Sequence, residues 1–263
     1  MNDIETLRLF RSIGKRARKI TKNCDRPAVL MEKNPYGDFS LRIDIELENM
    51  VKRCIGNNTL ITEERPENMS GGNVFILDPL DGSRNFSRGY PVYSLSIGAA
   101  PEGAETVKDI RVSYAINLVN GDEYHAIAGK GAFLNGKRIR SLPQKGKKLI
   151  SLDIGDDYGR APKLVRGLMR LGWLRSSGTC IMDICMAARG STDAHVDVRN
   201  KILVTHSPVL LIAKEAGMIV TDAYGRDVST PLENGATFSV IASNEKKLHS
   251  DILKVVRKSG PTR

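Results

Sequence analysis

The chain has 263 residues, 41% of them hydrophobic and 27% charged, enough apolar side chain to bury a full core in one large or two modest domains. Its 40 Lys and Arg outnumber 30 Asp and Glu, and the resulting net charge of +10 suits polyanionic partners. Nucleic acid is disfavoured among them because the basic residues are dispersed and only 5% of residues are aromatic, and no run approaches the ~20 apolar residues of a membrane span or the core of a signal peptide.

Leu7, Phe10, Ile13, Ala17 and Ile20 recur at helical spacing and predict a first helix over 3–23. Threaded with Arg and Lys, it imitates a basic membrane anchor, but a helix lying on its own domain is the better reading. A second helix is expected over about 40–55. Strands follow near 59–62, 74–77, 92–99, 110–118 and 123–127, the last two joined by a turn at Asn120-Gly121. Residues 136–148 are basic, contain Gly and Pro, and read as the crossing from an N-terminal part (1–145) to a C-terminal part (146–263). The second part is expected to hold a strand over 149–154, helices over 162–171, 179–189 and 207–216, strands over 218–221 and 238–242, and a last helix over 245–258. Tyr90, Tyr93 and Tyr124 are expected to pack in the sheet region and Trp173 in the second part. His125 and His195 read as structural. Cys24, Cys54, Cys180 and Cys185 form no CxxC pair and have no His at zinc-ligand spacing. They read as reduced, mostly buried thiols of a cytoplasmic protein.

The chemistry concentrates at Asp78-Pro79-Leu80-Asp81-Gly82-Ser83, which ends the apolar run Val74 to Leu77. Pro79 fixes one backbone angle, so Asp78, the Leu80 carbonyl and Asp81 can converge on a hard cation. Gly82 permits close approach of a ligand, and the N–H groups of Gly82 and Ser83 would face an anion if they open a helix. Asp44, within Ile43-Asp44-Ile45, and Glu63-Glu64, closing Leu60-Ile61-Thr62, could feed the same cluster. Metal-assisted phosphate chemistry follows.

Asp78 to Phe86 matches the signature Asp-Pro-(Leu/Ile)-Asp-Gly-(Thr/Ser)-X-Asn-Phe, and on it the chain resembles the inositol monophosphatase and fructose-1,6-bisphosphatase superfamily. Gly37-Asp38 with Ile43-Asp44, Ile61 to Glu64, Gly129 to Gly136, Gly178-Thr179 with Asp183, Gly190, Asp193-Ala194, and Lys214 to Gly217 fit further motifs in order. Val196-Asp197-Val198-Arg199 is similar to the archaeal, dual-substrate branch. The resemblance implies a layered α/β/α/β/α sandwich of α+β and α/β parts, a homodimer, and a small-molecule phosphate monoester as substrate. It implies that Glu63, Asp78, the Leu80 carbonyl and Asp81 hold two or three Mg²⁺ ions, Mn²⁺ being possible. It also implies that Asp44 and Ser83, with Glu63, carry catalysis through a metal-activated water. Asp81, Gly82, Ser83, Gly178 and Thr179 would bind the substrate, with Asp197 accepting its hydroxyls and Arg199 meeting a second phosphate. A surface ion pair is the alternative for Asp197 and Arg199.

One position departs from the family. Where it has an Asp that completes the metal site, this chain reads Val204-Thr205-His206-Ser207-Pro208. One register puts Thr205 at the ligand position, the other His206, and neither supplies a carboxylate. His206 is assigned as the metal ligand, although imidazole suits softer metals better than Mg²⁺. Inositol 1-phosphate and fructose 1,6-bisphosphate are the expected substrates. The alternatives are a catalytically impaired paralogue that binds phosphorylated metabolites, or a 3′-nucleotide or NADP phosphatase.

Overall fold

A computed structural model describes residues 1–24, 31–33, 39–64, 71–155 and 159–260. Helix α1 (Asp3–Asn23) begins where the Asn2 side chain accepts the N–H groups of Ile4 and Glu5 while Glu5 reaches back to the Asn2 N–H. Strands β1 (Met31–Lys33) and β2 (Phe39–Leu41) pair antiparallel, and helix α2 (Arg42–Ile55) follows at once. Both helices bury one apolar stripe, including Phe10, Ile13, Ala17, Leu47 and Val51, against a seven-stranded sheet.

That sheet runs in sequence order: β3 (Thr59–Ile61), β4 (Val74–Asp81), β5 (Ser94–Ala100), β6 (Val112–Asn117), β7 (Glu123–Ile127), β8 (Gly131–Leu134) and β9 (Lys137–Ile139). The short helix α3 (Ser83–Ser87) leaves the end of β4. Side chains alternate: Phe75, Leu77, Leu95 and Ile97 face α1 and α2, while Ile76, Ala115, Tyr124 and Ala126 face the opposite layer.

A second sheet has the order β11-β10-β12-β14-β13. Its strands are β10 (Lys148–Asp153), β11 (Gly172–Arg175), β12 (Ala194–Leu203), β13 (Ile219–Thr221) and β14 (Thr237–Ser243). Helices α5 (Cys180–Ala188) and α6 (Pro208–Glu215) lie between the sheets, and their residues are apolar nearly all round because both sides are covered. Helices α4 (Ala161–Met169) and α7 (Lys246–Ser259) cover the far face through Leu164, Leu168, Ile252 and Val256. The result is the α/β/α/β/α sandwich expected, with β3 to β9 from the first part of the chain and β10 to β14 from the second. One core cluster, running from Ile61 to Ala242, joins them.

The element pattern differs from expectation mainly at β12, for which no strand was expected. Its centre carries Asp197, Arg199, Asn200 and Lys201, which interrupt the apolar run, and it bends where Asn200 takes a left-handed φ of 59° and the pairing with β14 shifts register. β8, β9 and β11 are three- or four-residue strands too short to show a period. Tyr93 and Tyr124 are buried, but the expectation fails for Tyr90 and Trp173, which are 52% and 56% exposed. Trp173 sits on the edge strand β11, where Lys147 lies over its ring. His195 hydrogen-bonds Ser151, and His125 stacks on Phe133, both buried and structural. Cys180 and Cys185 are buried, Cys24 and Cys54 partly so. Gly37-Asp38 lies outside the described residues. Among those residues no helix is long and apolar enough to cross a membrane.

Candidate active site

Asp78 and Asp81 are three residues apart, so strict alternation along β4 would point them to opposite faces. The pairing with β5 prevents this: Asp78 opposes Ser96 and Asp81 opposes Ser94, three steps against two. The extra residue at Pro79-Leu80 is a bulge that turns both carboxylates toward the layer of α5 and α6. Asp78 Oδ1 accepts the Leu80 N–H at 3.0 Å, closing the turn. Asp81 Oδ2 accepts the Ile181 N–H at 2.8 Å, tying β4 to the first turn of α5, where the helix dipole favours an anion.

His206 ends a single 3₁₀ turn, Val204–His206, just before Pro208 opens α6. Its Nε2 lies 3.2 Å from Asp78 Oδ2 and 3.8 Å from Asp81 Oδ1. Thr205 is buried beside it, with Oγ1 3.4 Å from His206 Nδ1. Of the two registers open in the sequence, the fold therefore brings His206 to the carboxylates. Ligand atoms of Asp78, Asp81 and His206 all fall within 4.8 Å of one another. Asp78 Oδ2 is sealed from solvent without an aligned hydrogen-bond donor. A buried, unsatisfied carboxylate oxygen beside a second carboxylate and an imidazole fits a divalent cation.

Asp44 stands in the first turn of α2, where its Oδ2 accepts the Leu41 N–H at 2.6 Å. Its Oδ1 is 3.2 Å from Ser83 Oγ, which also lies 2.8 Å from the Leu80 carbonyl oxygen. Burial pushes the Asp44 carboxyl up to about 8; the Leu41 N–H pulls against this and the Glu63 carboxylate adds to it. Asp78 is held well above the carboxylate range, first by burial and then by Glu63. For His206 burial acts to lower the pKa, but Asp78, Asp81 and Glu63 outweigh it and hold the imidazole up to about 10. Without metal the site thus carries its own cation and retained protons. Glu64 is buried and accepts a hydrogen bond from Ser40 Oγ instead of pointing at the cluster.

On the substrate side Gly82 has φ +89°, and a Cβ there would meet Thr179 Cγ2 at 2.7 Å, so strand end and Gly178-Thr179 are in near contact. Asn85 reinforces this by donating to the carbonyls of Val92 and Ser177, both at 2.8 Å. Asp197, fully buried, is gripped by Arg199 through Nε at 2.9 Å and Nη2 at 2.6 Å, and Arg199 also reaches Asp153 at 3.0 Å. Those side chains form a half-buried ion cluster around the buried Asp197, not a fully exposed surface pair.

The inositol monophosphatase family model matches residues 15–260. The chain belongs to that family. As a family member it is a phosphoric monoester hydrolase. It is 32% identical over 212 residues to a fructose-1,6-bisphosphatase/inositol-1-monophosphatase of Methanothermobacter thermautotrophicus, covering 75% of each chain. A bifunctional NADP phosphatase/NAD kinase of Methanocaldococcus jannaschii is 29% identical over 252 residues, covering 82% of this chain and 44% of that protein. Among solved structures, an inositol monophosphatase–fructose 1,6-bisphosphatase superimposes with a TM-score of 0.83 at 24% identity over 97% of this chain and all of the other, a likeness of fold.

In this phosphatase the fold gathers Asp44, Asp78, Leu80, Asp81, Ser83 and His206 around one point, with the charge of Glu63 felt at Asp44, Asp78 and His206. Two contributors escaped sequence reasoning. Glu48, fully buried, accepts from Thr62 Oγ1 at 2.6 Å and forms an ion pair with Lys52 at 2.9 Å, holding α2 against the strand end that carries Glu63. Its signal was present: it stands four residues after Asp44, on the same helix face. Asn85 lies inside the signature, yet its tie to Ser177 joins two halves distant in sequence and only the fold displays it.

Proposed function

We propose that the chain hydrolyses a phosphate monoester of inositol or a sugar, inositol 1-phosphate or fructose 1,6-bisphosphate or both, with Mg²⁺ or Mn²⁺ held by Glu63, Asp78, the Leu80 carbonyl, Asp81 and His206. The observation that carries this reading is the meeting of the Asp78–Asp81–His206 cluster with the Asp44–Ser83 pair. A divalent cation at that cluster supplies charge stabilisation to the phosphate and to the leaving oxygen. Asp44, buried and 3.2 Å from Ser83 Oγ, acts as general base toward the attacking water. Ser83 Oγ, between Asp44 and the Leu80 carbonyl, orients that water. Asp81 keeps its orientation through the Ile181 N–H, so the carboxylate does not swing when charge changes nearby. Gly82, Ser83, Gly178 and Thr179 line the phosphate side. Asp197 meets the substrate hydroxyls only after Arg199 swings away, and that swing would present the guanidinium to a second phosphate.

A second reading has its own observation. His206 replaces a family carboxylate with a group that is cationic in the metal-free chain, which favours a paralogue that binds phosphorylated metabolites with impaired turnover. Phosphate release from inositol 1-phosphate, fructose 1,6-bisphosphate, a 3′-nucleotide and NADP, each with Mg²⁺, with Mn²⁺ and in excess EDTA, separates the cases. Turnover that survives EDTA overturns the metal-dependent mechanism. Binding of those compounds without release at any metal concentration establishes the second reading. A homodimer in the cytoplasm completes the proposal, and a light-scattering mass near the 28.9 kDa of one chain would reject the dimer.

A further inference from the structure

The outer helical layer carries a feature that phosphatase chemistry does not use. Between α4 and α7 lies a cavity of about 550 Å³, a size suited to a small molecule. Four cations rim it, Lys163, Arg166, Arg170 and Lys258, over a floor that includes Leu171 and Val255. The lining contains no acidic residue, and none of the four forms an ion pair among the described residues. On the same helix Lys247 and Lys254 pair with Asp251, outside the cavity.

Of the cations on α4, Arg166 in the last turn and Arg170 at the C-cap lie with the helix dipole, and Lys163 lies against it. Lys163 stands in the first turn, where the dipole disfavours a cation and no acidic residue offsets it. Arg166 and Arg170 follow at i+3 and i+7, so like charges stack on one exposed face while Leu164 and Leu168 are buried on the other. The row spans roughly 10 Å along the helix, the reach of several linked phosphates and not of one. The cavity walls are fixed. A Cβ on Gly167 would meet Val255 Cγ1 at 2.4 Å, so the helices cross in contact there. At the end of α7, buried Arg160 donates to Ser259 Oγ at 2.9 Å and to the Val198 carbonyl at 3.0 Å.

We propose that this cavity binds a nucleoside di- or triphosphate, its phosphates along Lys163, Arg166 and Arg170 and its less polar body on the Leu171–Val255 floor. A concave site with an apolar floor favours a small molecule over an extended nucleic-acid strand. Isothermal titration of the full chain in excess EDTA, which keeps metal-dependent binding at the catalytic site out of the signal, tests the inference with ATP, ADP, inorganic tripolyphosphate and a single-stranded RNA oligomer. ATP should bind, more weakly as salt rises, and tripolyphosphate should bind less tightly because it leaves the floor uncovered. The double variant Arg166→Glu/Arg170→Glu should weaken ATP binding by at least ~10-fold without altering phosphate release measured in the absence of nucleotide. Lys163→Gln/Lys258→Gln should weaken it in the same direction with less perturbation of the helices. Absence of ATP binding at millimolar concentration overturns the proposal, as does binding indifferent to both double variants or equal affinity for tripolyphosphate. RNA bound in preference to ATP and lost on the same charge reversal would make this face a nucleic-acid surface instead.

Discussion

Raising the pH of the metal-free chain from 7 to 9 should destabilise it. Asp44 is held up to about 8 and His206 up to about 10 in the folded state, whereas the unfolded groups titrate near ~3.9 and ~6.5. Both folded pKa values are raised. The Asp44 contribution is therefore lost as pH rises through about 8, and the His206 contribution, complete below ~6.5, is lost as pH rises through about 10. At pH 8 the folded chain retains about half a proton on Asp44 and nearly one on His206 that the unfolded chain lacks, a slope of roughly −2 kcal/mol per pH unit. Across the two units this amounts to roughly 4 kcal/mol, or on the order of 10 °C in Tm for a chain of this size.

Asp78, Cys180 and Cys185, also pushed up by burial, add to the fall in the same direction, so the share of Asp44 and His206 is the difference from Asp44→Asn/His206→Asn. Burial holds His125 down to about 4, so its exchange is finished below pH 7. The charge of +10 fades toward the pI near 9.5, which acts with the opposite sign and is suppressed by working at high salt. Melting curves in EDTA between pH 7 and 9 supply the measurement. With saturating Mn²⁺ or Mg²⁺ the fall should largely vanish, because the cation takes over from the retained protons. A flat or rising Tm in EDTA would refute the reasoning, and so would an undiminished fall in Asp44→Asn/His206→Asn.

Three further outcomes are expected. Asp44→Asn and Ser83→Ala should each lower kcat by ~10²-fold or more, with little further loss in the double variant because the pair acts on one water; multiplicative losses measured by steady-state kinetics would separate their roles. His206→Asp should lower the Mg²⁺ concentration for half-maximal activity and extend activity to lower pH, whereas an unchanged metal titration in that variant, with improvement in Thr205→Asp, would return the ligand position to Thr205. Gly82→Ala should cost ~1–3 kcal/mol in chemical denaturation, since φ is +89° and its Cβ would meet Thr179 and the Val92 carbonyl at 2.7 and 3.0 Å; a midpoint equal to the parent's would show that this contact relaxes freely.

What could be read beforehand followed the range of the physics. The Asp78-to-Phe86 turn was legible because bulge, glycine and helix start are local, and the amphipathic helices because their period repeats over many residues. β12 was not, since its polar centre is held by partners distant in sequence: it pairs with β10 and β14, and Arg199, bonded locally to Asp197, also reaches Asp153 of β10. The choice between Thr205 and His206 was undecidable from spacing, because it depends on how one 3₁₀ turn rests against β4. Trp173 read as core for its size, but its neighbours leave it on an edge strand with a lysine over one face.

His206 also links the two functional readings through one quantity. An Asp at that position would add a fourth carboxyl group to those of Glu63, Asp78 and Asp81 and strengthen the attraction for a divalent cation. With imidazole there, a cation must first displace a proton held with a pKa of about 10. Below that value the competition weakens apparent affinity, and raising the pH recovers it until the imidazole is neutral. On the proposed ligand set, the same residues would turn substrate over when pH and cation concentration are high enough and would bind it without turnover when they are not. The two readings would then differ in occupancy of one site, not in its architecture.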